Sequence, residues 1–155
     1  MATNAATREM KMPSTVPPAS EAAASLLAIV VSANGRVDPR EVAELDRLRA
    51  FRRLGIRRGP FLRLAEQAVD EIGRPLSQTR RLRLSDRTRL LALQQAVADP
   101  DLRLDLCRLS AAVITADGCV TPDERLVYAS LQSQWGVTDA MVVGAIMRDR
   151  VGRGS

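Results

Sequence analysis

Apolar residues along this chain fall in blocks with helical spacing, separated by short polar breaks that carry turn chemistry. The first block runs through Glu21 to about Ala33. Its Leu26, Leu27, Ile29, Val30 and Val31 are apolar on nearly every side, which predicts a central helix with Ser20 as its cap. Asn34-Gly35 breaks that helix. Asp38-Pro39-Arg40-Glu41 then restarts it with an N-cap acid, a proline at the first helical position and a glutamate at the third, which is a capping box. The second predicted helix continues through Val42, Leu45, Leu48 and Phe51 and stops before Gly55. A third opens at Pro60, carries Phe61, Leu64, Ala65, Ala68 and Ile72, and ends at Gly73-Arg74-Pro75.

Pro75 to Ser85 reads as a basic connector. Ser85 is placed to cap a fourth helix through Leu90, Leu91, Leu93 and Val97. Asp99-Pro100 repeats the cap-plus-proline start, and Leu102, Leu106, Leu109, Val113 and Ala116 follow at steps of four, three, four and three. Asp117-Gly118 ends this fifth helix, and Thr121-Pro122-Asp123-Glu124 is a second capping box. The sixth carries Leu126, Val127, Leu131 and Trp135 up to Gly136. A seventh, capped by Thr138, holds Met141, Val142, Ala145 and Ile146. Strong strand signals are absent, so the expected fold is all-α, a bundle of about seven helices.

Composition narrows the functional classes. Only four of 155 residues are aromatic, so the core must be aliphatic, and 46% hydrophobic content argues against general disorder. There is no histidine, which removes Ser–His and Cys–His nucleophile arrangements and His-bearing zinc sites. Cys107 and Cys119 are neither a disulfide framework nor a metal-spaced pair, which points to a reducing, cytoplasmic setting. Cys107 reads as packing, and Cys119, beside Asp117 and Glu124, as an unreactive thiol. Residues 1–19 have no secretory pattern and read as a flexible segment before the domain at 20–150, with 151–155 as a frayed tail. No run is long and apolar enough for a transmembrane helix.

Two loops match each other. Ala33 to Glu41 aligns without gaps on Ala116 to Glu124, with five of nine positions identical at an offset of 83 residues. An apolar helix precedes each loop, and each following helix runs into a glycine–aliphatic pair, Gly55-Ile56 and Gly136-Val137. Such self-similarity predicts two related helix–loop–helix halves packed about an approximate two-fold axis. The pattern Ala-Asp-Gly-x-Val-x-Pro-x-Glu behind an apolar helix, occurring twice, resembles the tellurite-resistance TerB-like helical domain family over roughly residues 21–150. The resemblance implies an all-helical bundle whose loop acids have been proposed as a divalent-metal site. It also implies a role in stress, tellurite or phage resistance, through complexes near the inner face of the cytoplasmic membrane. Carried over by position, the implied ligands are Asp117 and Glu124 in the second loop and Asn34 and Glu41 in the first, with Asp38 as an extra acid. Asn34 departs from the pattern, because an acid is usual there.

Ca²⁺, Mg²⁺ or Mn²⁺ would need converging oxygens, and an Asp at a helix end can face a Glu seven positions on across a tight loop. The spacing is not that of an EF-hand, since Cys119 and Thr121 stand where alternating acids belong. The same residues also serve as caps and turns with no metal at all. With no nucleophile, phosphate-binding glycine loop or substrate cleft in view, the chain reads as a binding module that docks other proteins, and not as an enzyme.

Charge offers a second reading. The net charge is +5, carried by 22 Arg and one Lys, and residues 47–89 alone carry a net +9. Arg47, Arg49, Arg52, Arg53, Arg57 and Arg58 surround the end of the second helix, and Arg80, Arg81 and Arg83 lie in the connector. If these meet, they form an anion-binding surface for nucleic-acid backbone or an anionic membrane. Exposed aromatics for base stacking are missing, because Phe51 and Phe61 read as core. Arginine-rich coding bias accounts for the same residues without any ligand, and a purely scaffolding domain is the third reading.

Overall fold

The computed structural model describes residues 18–72, 84–116, 118 and 120–153. All regular structure among them is helical, in eight helices. These are α1 (Ala19–Ser32), α2 (Pro39–Arg47), α3 (Ala50–Leu54), α4 (Arg58–Ile72), α5 (Leu84–Ala96), α6 (Pro100–Thr115), α7 (Pro122–Trp135) and α8 (Asp139–Arg153). The segment before Pro18, the connector 73–83, Asp117, Cys119 and residues 154–155 lie outside the described residues.

Helices α1 and α6 form the centre. α1 packs against α3, α4, α5, α6 and α7, and α6 is covered by α1, α2, α7 and α8. The run Ala22-Ala23-Ala24 lets neighbouring helices approach α1 closely, while Leu26, Leu27, Val30 and Val31 fill the space between them; all are at most 1% exposed. α6 contributes Leu106, Leu109 and Val113, each fully buried, from the stripe that its spacing predicts. Phe51 and Phe61 meet with ring centroids 5.0 Å apart, inside an otherwise aliphatic core. Cys107 is fully buried, and burial pushes its thiol up to about 12.

The helix ends follow the turn chemistry closely. Gly35, Gly55, Gly118 and Gly136 all sit at positive φ. At Gly55 the Ile56 amide donates to Phe51 O and the Gly55 amide to Arg52 O, which closes α3 as a Schellman turn. α7 closes comparably, with the Val137 amide donating to Gln132 O. Asp99 caps α6 by accepting from the Asp101 amide at 2.9 Å, and Thr138 accepts from the Met141 amide at 3.2 Å.

Several expectations shift. Ser20 is the second residue of α1 and caps nothing; Pro18, extended at ψ 149°, holds the N-cap position with no side-chain bond. Ser85 is likewise inside α5, which begins at Leu84, and α4 begins at Arg58, two residues before Pro60. α8 continues to Arg153, so the helix takes in the first three residues of the expected tail.

The main change is that the predicted second helix is two, with Leu48 and Arg49 between them and Arg49 left-handed at φ 56°. The apolar pattern requires the break. Val42, Leu45 and Leu48 share one helical face, whereas Ala50, Phe51 and Leu54 would fall on the opposite face of a straight helix. All six are buried, because the left-handed residue turns the second set back to the core.

Trp135 donates from Nε1 to Gln94 O at 3.1 Å, tying α7 to α5. The Arg103 guanidinium lies over its ring at 5.7 Å.

Candidate functional site: an arginine-lined cleft

The break at Leu48–Arg49 brings several arginines to one concave surface. Arg47 ends α2, Arg49 occupies the left-handed turn, and Arg52 and Arg53 follow in α3. From a distant part of the chain α8 adds Arg148, Asp149 and Gly152, and together they enclose a cleft of about 780 Å³. Five guanidinium side chains against one carboxylate line this space.

Its floor is anchored. Arg53 Nη1 donates to Asp105 at 2.9 Å and to Asp149 at 3.2 Å, and Arg108 Nε donates to the same Asp149 oxygen at 3.2 Å. The chain Asp105–Arg53–Asp149–Arg108 thus joins α3, α6 and α8 through residues 96 and 52 positions apart. Partial burial works against the Arg53 charge, but hydrogen bonds to Asp149 and Asp105 outweigh it and raise its pKa above the ordinary value. Burial pushes Asp105 up, opposed by Arg53. Burial acts on Asp149 too, yet the bonds and charges of Arg53 and Arg108 hold it below its ordinary 3.8. Arg47 is bonded to Glu44, with Nε at 3.0 Å. Arg49, Arg52 and Arg148 make no ion pair among the described residues, so their charge faces the cleft and solvent.

Of the arginines singled out from the sequence, the structure therefore gathers Arg47, Arg49, Arg52 and Arg53. Arg57 and Arg58 are exposed but do not line the cleft, and Arg58 pairs with Asp46 at 3.2 Å. Arg80, Arg81 and Arg83 lie outside the described residues. Sequence reasoning missed Arg148 and Asp149, which enter from the last helix. Beyond Asp149 the surface changes sign: Asp99, Asp101 and Asp105 line an adjoining space of about 400 Å³ with Arg148.

The two loops are built from the residues that their pattern names. In the first, Asn34 Oδ1 accepts from the Arg36 amide at 3.3 Å, and Asp38 Oδ1 accepts from the Arg40 amide at 2.8 Å. Asp38 also holds the Arg40 guanidinium at 3.2 Å, and that bond lowers its pKa. In the second, the full capping box forms: Thr121 Oγ1 accepts from the Glu124 amide at 3.3 Å, and Glu124 Oε2 accepts from the Thr121 amide at 3.4 Å. Glu41 and Glu124 are each 1% exposed, at the first turns of α2 and α7, where the helix dipole favours negative charge.

As cation donors the two loops differ. In the first, Asn34 and Asp38 spend their oxygens on the loop's own amides and on Arg40. In the second, Glu124 Oε2 is engaged in the box, and Asp117 lies outside the described residues. Among the described residues, no three Cys, Asp or Glu side chains converge as a metal-binding group. No helix among them is long and apolar enough to cross a membrane. Comparison with protein-family models, with curated proteins and with solved structures finds no match to the chain.

Proposed function

We propose that this chain is a non-enzymatic, TerB-like helical binding module whose working surface is the arginine-lined cleft, and that its partner presents phosphate groups. The observation that carries this reading is five arginines around one pre-formed concavity, with Arg53 locked in place by Asp105 and Asp149. Guanidinium forks suit phosphate oxygens, and a floor already fixed by ion pairs loses little freedom when a ligand arrives. The concave shape suits a nucleic-acid backbone or a phosphorylated segment of a partner protein better than a flat bilayer. Titrating the protein with a short DNA duplex and with anionic phospholipid vesicles, each at low and high salt, tests the reading. Duplex binding that weakens steeply with salt and is lost in Arg49→Ala/Arg52→Ala/Arg148→Ala supports it. Absence of binding to either probe, or binding unchanged in the triple variant, overturns it.

A second reading rests on the second loop. Gly118 at φ +78° and the buried Glu124 leave room for the TerB-like proposal that Asp117 and Glu124 hold Ca²⁺, Mg²⁺ or Mn²⁺, in a module that docks stress-defence proteins. Gln at position 124 can keep the capping box but not a carboxylate ligand. Metal-stripped protein should therefore gain thermal stability on adding one of these ions, roughly 2.7 kcal/mol at 100 times the dissociation constant, and Glu124→Gln should abolish the gain. An unshifted midpoint with every ion would leave the loops as caps alone.

A further inference from the structure

The last helix is apolar on both sides. Val142, Ala145, Ile146 and Asp149 face the body of the molecule. The opposite face carries Ala140, Val143, Met147 and Val151 at steps of three and four. That face is open: Val143 is 56% exposed, Met147 54% and Val151 73%. Single exposed apolar residues are ordinary, but three on consecutive turns of one helix form a continuous stripe. The inner face is pinned by Asp149 to Arg53 and Arg108, so the stripe is held outward on a fixed helix.

The flanks of the stripe indicate what covers it. On one flank lie Asp139 and Arg150, eleven residues and therefore about 16 Å apart along the axis, too far to pair within one chain. On the other flank lie Met141 and Arg148. When two copies of a helix pack antiparallel, like flanks meet with their ends exchanged. Asp139 of each copy then faces Arg150 of the other, and Arg148 faces the aliphatic Met141. A parallel pairing would instead set Arg150 against Arg148, like charge on like charge. Gly144 falls near the centre of the antiparallel arrangement, where only the Arg148 side chain approaches it, at 3.5 Å from the position a Cβ would take. The helices can therefore come close at their crossing.

We propose that a second copy of this chain docks on the outward face of α8, as an antiparallel helix pair seamed by Ala140, Val143, Met147 and Val151 and fixed by reciprocal Asp139–Arg150 ion pairs. Four apolar side chains per copy make a smaller contact than a standard protein interface, so the dimer is reversible and concentration-dependent. It places the two arginine clefts, which α8 also borders, in one two-fold particle.

Sedimentation of the full chain over a concentration series tests this. Wild type should pass reversibly from monomer to dimer, and Met147→Glu and Val151→Glu, both at exposed positions, should remain monomeric with unchanged helical circular dichroism. Asp139→Arg and Arg150→Asp should each weaken association by about tenfold or more, and the double variant should recover most of that loss. The rescue separates a reciprocal contact from a general charge effect, because the two residues do not touch within one chain. A wild type that stays monomeric up to its solubility limit overturns the proposal. So does a dimer indifferent to Met147→Glu and Val151→Glu, or a well-folded double variant that fails to recover.

Discussion

The two glycine loops begin alike and lead to different structures. Each has a glycine at positive φ, an N-cap, a proline at the first helical position and a glutamate 1% exposed in the first turn. After the second loop the chain runs as one helix of 14 residues, from Pro122 to Trp135. After the first loop there are two more residues between the glutamate and the closing glycine, since Glu41 to Gly55 spans 14 positions and Glu124 to Gly136 spans 12. The excess is taken up where the helix breaks, at Leu48 and the left-handed Arg49. That break sets Arg49, Arg52 and Arg53 on the cleft that Arg148 and Asp149 of α8 complete. Two extra residues, absorbed by a backbone conformation that arginine disfavours, thus separate a broken helix that carries arginines to a concave surface from one that runs straight through.

The largest effect is expected at Asp149, which α8 sets between Arg53 and Arg108. Asp149→Ala removes the partner of Arg53 and of the nearly buried Arg108, and should cost about 2–3 kcal/mol in chemical denaturation while loosening the cleft. A cost below about 0.5 kcal/mol, the ordinary range for a bland surface change, would mean that the network does not anchor α8.

A paired glycine scan comes next. Gln132 follows Leu131 in the intact helix as Arg49 follows Leu48 in the broken one. Gln132→Gly should destabilise by roughly 1.5–2 kcal/mol, from helix propensity and the lost bond to Asp139. Arg49→Gly should stabilise by about 1 kcal/mol by relieving the left-handed backbone. The same substitution thus changes sign between the broken and the unbroken helix. Two destabilising results would remove strain at Arg49 from the account.

The smallest effect concerns the caps. Asp38 is held below its ordinary 3.8 by Arg40, so its contribution is complete above 3.8 and is lost as the pH falls through the lower folded value. The Thr121 hydroxyl does not titrate in that range. Hydrogen exchange at the Arg40 amide, corrected for intrinsic rates, should lose protection on acidification before exchange at the Glu124 amide does. Equal loss at both would assign the change to global unfolding.

Much of the fold could be read from punctuation. Asp38-Pro39, Asp99-Pro100 and Thr121-Pro122 start helices where expected, and Gly55 and Gly136 end them, because proline and glycine act through local sterics that tertiary structure seldom overrides. Ser20 and Ser85 misled, since serine is common inside helices and needs a free amide at the right place to act as a cap. The break at Arg49 left two traces in the sequence: the apolar face slips between Leu48 and Ala50, and the stretch from Glu41 to Gly55 is two residues longer than that from Glu124 to Gly136. The cleft was half legible. Clustered arginines in α2 and α3 announce themselves, but Arg148 and Asp149 reach it only through packing of α8 on α6, which no local pattern encodes.

Trp135 is the only tryptophan in the chain, and its ring sits where α7 meets α5, bonded to Gln94 and covered by Arg103. The protein therefore carries its own optical reporter at the α5–α7 junction, among residues that do not line the arginine cleft. If α5 separates from α7, the indole is exposed to water and its emission moves to longer wavelength. A ligand seated in the arginine cleft touches neither Gln94, Arg103 nor Trp135, so one unlabelled fluorescence trace distinguishes opening of the bundle from occupancy of that cleft.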